Sequence, residues 1–595
     1  DTSIIIHSNS YPHEKIRIPL HIKAEEGEVF DGWVAIDFGT TNSCCAIMPQ
    51  MASNPKIMDI DKFSIDPPSV PSVILYERLE PWKKVYSIGG YARSYFRVPE
   101  CRESIVLSVK RRLGERPPRY QPQDIIYYED GGQASYWPHE MAADIIEQMI
   151  RLVEEDLRKK VDKCFITYPA RFSPIQLAAL EEACKICNID IIAMYPESVA
   201  AAFDAILREE DVNTKKKAAQ DPYTLMVYDF GGGSIDIAFL HVNAHRDDEM
   251  GTDRFSITVL GTDGKRRFGG DDITWLILEK TLIHPTAQKK GLTDAGYKKI
   301  IKDTLPHLWE EFEEIKRKLT SDKGTDQKDD ESILETLKID KKLYLLGKGK
   351  RVEEEIDCTI RRDEVNEIVT HGIKESICMM ERLFKKSKKC FPDHVVGDFP
   401  DVILLAGKSC RMKVVEEIIK EKFSQKGKGS TVIKAKELKE CVTKGAVRLG
   451  MLQNTPGLVD VEIQGALHTA TAKVGIISAY GLGTRKFTPV IQMGDPIGEW
   501  VPLPQKIRLR SRHTLITVAE NTGVSDTLEI NEAPNPEIEL VGTYQLSDHI
   551  PEDLKDSELR NAKLEMMLTD KHEIIMKITF RSEDYFLTAH RPILG

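Results

Sequence analysis

The chain lacks any long apolar run. Nothing in its 595 residues approaches the roughly 20 consecutive apolar residues of a membrane-spanning helix, and no signal peptide is visible. A membrane partner is therefore not expected. It also lacks a positive surplus: 83 Lys and Arg against 94 Asp and Glu give a net charge of −11, which argues against a general nucleic-acid surface. Cysteine is scarce and odd in number, eleven in all, without the dense even spacing of a disulfide scaffold. A reducing, cytoplasmic setting fits that usage. Cys184-Lys185-Ile186-Cys187 has CxxC form, but it falls in a helical pattern with Leu177, Leu180 and Ala183, so the expectation is buried helix cysteines rather than a metal or redox pair.

What the chain does have is two aspartate-glycine hairpins. The first runs Val34-Ala35-Ile36-Asp37-Phe38-Gly39-Thr40-Thr41-Asn42-Ser43, and the second Met226-Val227-Tyr228-Asp229-Phe230-Gly231-Gly232-Gly233-Ser234-Ile235-Asp236. Each is an apolar run, a carboxylate, a glycine turn with hydroxyls, and a second apolar run. Glycines let backbone N–H groups close on a phosphate, and the hydroxyls add donors. A carboxylate at each strand end can hold the water shell of Mg²⁺. Two such hairpins imply a nucleotide clamped between duplicated halves.

The length predicts several domains, since single cores stop growing near roughly 250–300 residues. Residues 1–32 are β-like and too short for a domain, either an added strand or the remnant of an upstream one. Residues 33–453 alternate strands and helices, including a strand over 161–169, a helix over 173–187 and a strand at Val402 to Leu405. The polar run 321–331 reads as a solvated loop. Residues 454–463 read as a connection. Residues 464–595 lose the helical period and read as short strands with turns, among them Leu515 to Val518 and 573–580.

In this order the motifs resemble those of the seventy-kilodalton heat-shock chaperones, the DnaK-type superfamily of actin-like ATPases. Ser108 to Gly114 resembles the segment carrying that family's catalytic lysine, here Lys110. Glu197, ahead of Ala200-Ala201-Ala202, resembles the glutamate of the connecting helix. Phe268 to Asp272 resembles the family's glycine-acid turn, Glu313 to Thr320 the helix against adenine and ribose, and Leu405 to Arg411 the adenosine turn. Glu313, Lys316, Arg317 and Thr320 fall at i, i+3, i+4 and i+7, so they share one helix face. Gly407-Lys408-Ser409 is not a P-loop, because Val402 stands where that motif needs its first glycine.

The resemblance implies an α/β actin-like ATPase domain of two duplicated lobes followed by an all-β sandwich. The cofactors it implies are ATP or ADP and Mg²⁺. Asp37 and Asp229 would hold the metal through water. Lys110, Glu197, Asp229 and Asp236 would serve hydrolysis. Gly39, Thr40, Thr41, Asn42, Gly231, Gly232, Gly233 and Ser234 would cradle the phosphates. Glu313, Lys316, Arg317, Thr320, Gly407, Lys408, Ser409 and Arg411 would take the nucleoside. The sandwich would grip extended apolar peptides, with Leu482, Ile516 and Val518 in its groove. Partners would be such peptide segments, a J-domain co-chaperone and a nucleotide-exchange factor.

Several residues depart from the family pattern. Pro196-Glu197-Ser198-Val199 stands for Asn-Glu-Pro-Thr, Leu177 for an arginine tied to interdomain signalling, and Lys408 for a glycine. Leu458-Val459-Asp460-Val461 resembles the apolar interdomain linker, with the first strand of the next module as the plainer reading. No segment after Phe580 can form the helical lid, so a truncated or lidless member is expected. A small-molecule kinase of the same fold and an ATP-regulated scaffold or filament protein are the other readings.

Overall fold

A computed structural model describes residues 2–7, 15–20, 28–50, 52, 54–80, 83–114, 124–128, 131–172, 174–207, 222–247, 252–265, 268–301, 305–320, 336–347, 350–425, 428–454, 460–465, 473–479, 484–492, 495, 498–504, 509, 511–521, 527–529, 538–551, 553–569 and 574–589. Leu482, Leu458, Val459 and the polar run 321–331 lie outside these residues.

Two six-stranded sheets organise the region of the hairpins, and their central order is the same. In the first, Asp190–Pro196, Lys163–Tyr168 and Gly32–Asp37 run parallel, and Asn42–Pro49 turns back antiparallel. In the second, Thr431–Lys434, Val402–Ala406 and Tyr223–Phe230 run parallel, and Ile235–Asp247 turns back antiparallel. Each glycine hairpin is thus the antiparallel corner of its own sheet, which places both glycine turns at strand ends. The strand Tyr223–Phe230 is buried throughout, as a near-continuous apolar run flanked by neighbours on both sides must be.

Helices Glu197–Leu207 and Glu440–Asn454 cross between the sheets. One apolar cluster contains Ala35, Ala46 and Phe165 of the first sheet, Val227 and Ala238 of the second, and Ala200, Phe203, Ala446 and Val447 of the two helices. Small residues allow the crossing: a Cβ on Gly445 would stand 1.7 Å from the carbonyl oxygen of Ala200. Beneath it, Arg448 donates to Asp204 at 3.2 Å and to Asn54 at 2.9 Å, with both charged partners nearly buried.

Residues 2–7 and 15–20 pair as an antiparallel hairpin. The helix after the strand Lys163–Tyr168 spans Pro174–Ile186, and its Leu177 is core, 3% exposed, against the first sheet. Cys184 is buried and Cys187 donates to backbone carbonyls, both as free thiols, in keeping with the helix-core expectation.

Strand Asp460–Gly465 pairs parallel with Thr252–Lys265 and extends the second sheet by one strand. Half of the linker-like stretch therefore belongs to a sheet edge of the preceding region. After it, a five-stranded sheet and a four-stranded sheet share one apolar cluster that includes Val474, Ile476, Met566 and Met576. Ile516 and Val518 lie in that cluster at 4% and 2% exposure, while the neighbouring Leu515 is 63% exposed. Strand alternation turns Ile516 and Val518 to the same, inward side of their strand.

Candidate functional site

The two glycine turns face each other across a narrow chamber of about 50 Å³, lined by Gly39, Thr40, Thr41 and Asn42 on one side and by Asp229, Gly231, Gly232, Gly233 and Ser234 on the other. The turns nearly touch. A Cβ on Gly232 would lie 2.1 Å from Thr41 Oγ1, and one on Gly233 would lie 2.4 Å from Thr40 Oγ1. Only glycine permits this approach, so the glycine triplet is dictated by the opposing turn as well as by any phosphate. Gly407, with φ +79°, comes equally close to Asp229, where a Cβ would meet Oδ1 at 2.4 Å.

The second hairpin is held by its neighbours. Gly270 N and Asp271 N donate to the carbonyls of Gly231 and Gly232 at 3.0 and 2.9 Å, and Ser409 Oγ donates to Gly231 at 2.9 Å. Further bonds reach from one side of the chamber to the other. Thr41 Oγ1 donates to Asp271 at 2.7 Å, Arg111 pairs with Asp272 at 2.5 and 3.0 Å, and Lys408 reaches Asp66 at 2.5 Å and Ser69 at 2.7 Å. Arg171 pairs with Asp263 at 3.0 Å. The clamp is closed in this structure.

Lys110 is 2% exposed, on the short helix Val109–Arg112, and its ammonium is hydrogen-bonded to Glu197. Ser108 just before it adopts φ +54°, a left-handed conformation uncommon for a non-glycine residue that turns the chain so that Lys110 enters the chamber. Glu197 opens the helix Glu197–Leu207, and burial pushes its carboxyl above the ordinary range. Asp229 is pushed well above it by burial and then by the nearby Glu197 and Asp236. Asp236 rises to about 8, by burial and then by Glu197, while it accepts from Ala170 N at 2.6 Å and Ser234 Oγ at 2.7 Å. Three carboxyl groups crowded into one buried chamber disfavour one another's charge.

Asp37 behaves oppositely. Burial raises it, but the Lys439 and Lys110 ammoniums outweigh burial and hold it below the carboxylate range. One oxygen accepts from Thr167 Oγ1 at 2.8 Å, and the other is bonded by Lys439. Lys439 is the residue that motif reading missed. It lies in an unremarkable Lys- and Glu-rich stretch before the helix Glu440–Asn454, and only the fold carries it to Asp37. Asp66 escaped notice for the same reason, and Arg111 and Asp271, though inside motifs that the sequence marks, have partners 161 to 230 positions away that no motif names.

A second cavity of about 490 Å³ adjoins the first, sharing Thr41, Asn42, Gly232 and Lys408 with it. That size falls within the roughly 300–1,000 Å³ of small-molecule sites. Glu313, Lys316, Arg317, Thr320, Ser409 and Arg411 all line it. Glu313 accepts from Thr274 at 2.5 Å and Lys316 at 2.7 Å; burial would raise it, but Lys316 and these bonds bring it down to about 2. Lys316 also donates to Gly270 O and Thr274 Oγ1, each at 2.8 Å, and is buried, so its ammonium braces the site. Thr320 Oγ1 donates back to Lys316 O within the helix. Arg317 and Arg411 keep half or more of their side-chain surface exposed, with planes available to stack on a base.

The residues present fit a nucleotide: a glycine cradle for phosphates, cations beside it and a nucleoside-sized cavity leading on. The charge of Asp37 is already met within the protein, by Thr167 on one oxygen and the Lys439 ammonium on the other, which disfavours a divalent cation between Asp37 and Asp229. Residues 33–464, well over half of the chain, match the model of the family described as Hsp70 protein, and the chain belongs to the Hsp70 family.

Proposed function

We propose that this protein is an ATP-driven, chaperone-like machine that binds ATP in the chamber, hydrolyses it and couples nucleotide state to the grip of the C-terminal β region on extended apolar peptides. Membership of the Hsp70 family supports a chaperone-type, ATP-binding function in general. The observation that carries the finer reading is the facing pair of glycine turns with Lys110 between them and a nucleoside-sized cavity beside them.

Phosphoryl transfer to water needs positioning and charge more than a strong base. Lys110 is placed to offset charge on the transferring phosphate, with Glu197 orienting the ammonium. Asp236, anchored by Ala170 N and Ser234 Oγ, is placed to position a water. Thr40, Thr41 and Ser234 offer hydroxyls at the turns. The cross-chamber pairs Thr41–Asp271, Arg111–Asp272 and Lys408–Asp66 make closure and nucleotide retention one event.

The route to the β region runs through strand Asp460–Gly465, which rides on the edge of the second sheet. The apolar cluster shared by the two C-terminal sheets supports reading them as a sandwich, and a peptide taken there would use backbone bonds at a strand edge plus a side-chain pocket. A J-domain partner, an exchange factor and a cytoplasmic location belong to the same reading.

The test is peptide affinity with ATP and with ADP, using Glu197→Ala to slow turnover. A tenfold weaker grip with ATP corresponds to about 1.4 kcal/mol of coupling. Equal affinity in both states refutes the coupling, and nucleotide-dependent sedimentation without peptide binding favours a scaffold instead.

A further inference from the structure

We infer that Lys439 is a built-in cation that takes the place of a divalent metal on Asp37, so that this protein binds nucleotide without depending on Mg²⁺. The inference rests on the nucleotide-binding reading above and concerns the same chamber.

Asp37 ends the strand Gly32–Asp37 at the first glycine turn and is 1% exposed. A carboxylate there must find partners, and it has them within the protein: Thr167 Oγ1 on one oxygen and the Lys439 ammonium on the other. Lys439 is 15% exposed in its side chain and lines the chamber itself, beside Leu438 and Val442. Its placement is fixed by the fold. Gly407 N donates to Leu438 O at 2.7 Å, which ties the segment carrying Lys439 to the adenosine-side turn. The helix Glu440–Asn454 that follows is locked against the helix Glu197–Leu207 at Gly445.

Lys110 and Lys408 line the same chamber, so three ammonium groups face the place where polyphosphate charge would lie. A divalent cation normally bridges phosphate oxygens to a carboxylate and cancels charge between them. An ammonium already bonded to that carboxylate cancels the same repulsion, and it offers its remaining protons to phosphate oxygens. Mg²⁺ brought to Asp37 through its water shell would stand beside the Lys439 ammonium, and like charges so close repel unless the lysine gives up its partner. That cost is of the kind that makes a broken buried pair expensive. Among the described residues, no group of three or more His, Cys, Asp or Glu is arranged to hold a metal elsewhere.

The experiment is calorimetric titration of ADP and ATP into the whole chain, once with excess MgCl₂ and once with EDTA, with the rise in Tm on ADP addition as a second readout. The wild type is expected to change affinity by less than about threefold between the two conditions. Lys439→Ala frees Asp37 and is expected to bind at least about tenfold more weakly with EDTA than with Mg²⁺. The wild-type comparison needs no variant to fold. A wild type that loses nucleotide by tenfold or more in EDTA, on the order of 1.4 kcal/mol, overturns the inference and leaves the nucleotide reading intact. A metal-independent wild type with an equally metal-independent Lys439→Ala overturns the role of Lys439. Absence of binding in both conditions refutes the nucleotide reading and this inference with it.

Discussion

Gly445 and Ala200 touch backbone to backbone: a Cβ on Gly445 would sit 1.7 Å from the Ala200 carbonyl oxygen. Their two helices connect the sheets that carry the facing glycine turns, so the separation of the turns is set partly at this crossing. A methyl group there forces the helices apart. Gly445→Ala is expected to destabilise by about 1–3 kcal/mol, as overpacking does in tight cores. Urea denaturation checks it, and an unchanged midpoint contradicts the crossing as a point of constraint.

Arg448 and Asp204 form a nearly buried pair across the same helices, 10% and 2% exposed in their side chains. Removing one partner takes the ion pair away from a nearly buried charge. Arg448→Met is expected to cost about 3–5 kcal/mol, the usual penalty for breaking a buried pair. The double variant Arg448→Met with Asp204→Leu should recover much of that loss, and no recovery would show that the cost does not come from the Asp204 charge.

Gly232→Ala places a methyl group 2.1 Å from Thr41 Oγ1 across the chamber. The clamp can then close only by displacing that turn. Nucleotide affinity is expected to fall by about tenfold or more, while a turn at the chamber rim leaves the cores intact and Tm nearly unchanged. Calorimetric titration beside a melting curve separates the two effects, and full affinity in the variant counts against closure of the two turns on the ligand.

Asp236 sets a pH dependence. Burial and the nearby Glu197 raise its folded-state value to about 8 from an unfolded 3.8. Between those values the folded protein holds a proton that the unfolded chain has released, so this group's contribution is complete below about pH 4 and is lost as pH rises through about 8. Asp236→Asn keeps an acceptor for Ala170 N and removes the titration. Denaturation from acid to mildly alkaline pH should show a shallower decline for the variant than for the wild type. Parallel declines would assign the slope to other groups.

Glu313 works in the opposite sense. Lys316, Thr274 and Arg317 bring it down to about 2 from 4.5 against the pull of burial. Its contribution is present above about pH 4.5 and is lost as pH falls through about 2. Glu313→Gln is expected to destabilise at neutral pH by about 2–3 kcal/mol and to matter little near pH 2. A loss of equal size at both pH values would mean that shape, not charge, holds the site.

The sequence by itself determined a good deal here. The turns at Asp37 to Asn42 and Asp229 to Ser234 had to be glycine hairpins between apolar strands, because that local pattern has few other solutions. Periodicity placed the helix carrying Glu313 to Thr320, and strand alternation marked Leu515 to Val518, though not which side of that strand faced inward. Membership of the Hsp70 family was legible in the order of the motifs. The tertiary structure alone decided what those motifs meet. Lys439 on Asp37, Lys408 on Asp66, Arg111 on Asp272 and the crossing of Gly445 on Ala200 join residues far apart in the chain, and no local pattern announces them. A side chain's charge is written in its residue type, but the partner that cancels it is chosen by packing. For this reason the facing glycine turns could be read from the sequence, and the lysine that meets Asp37 could not.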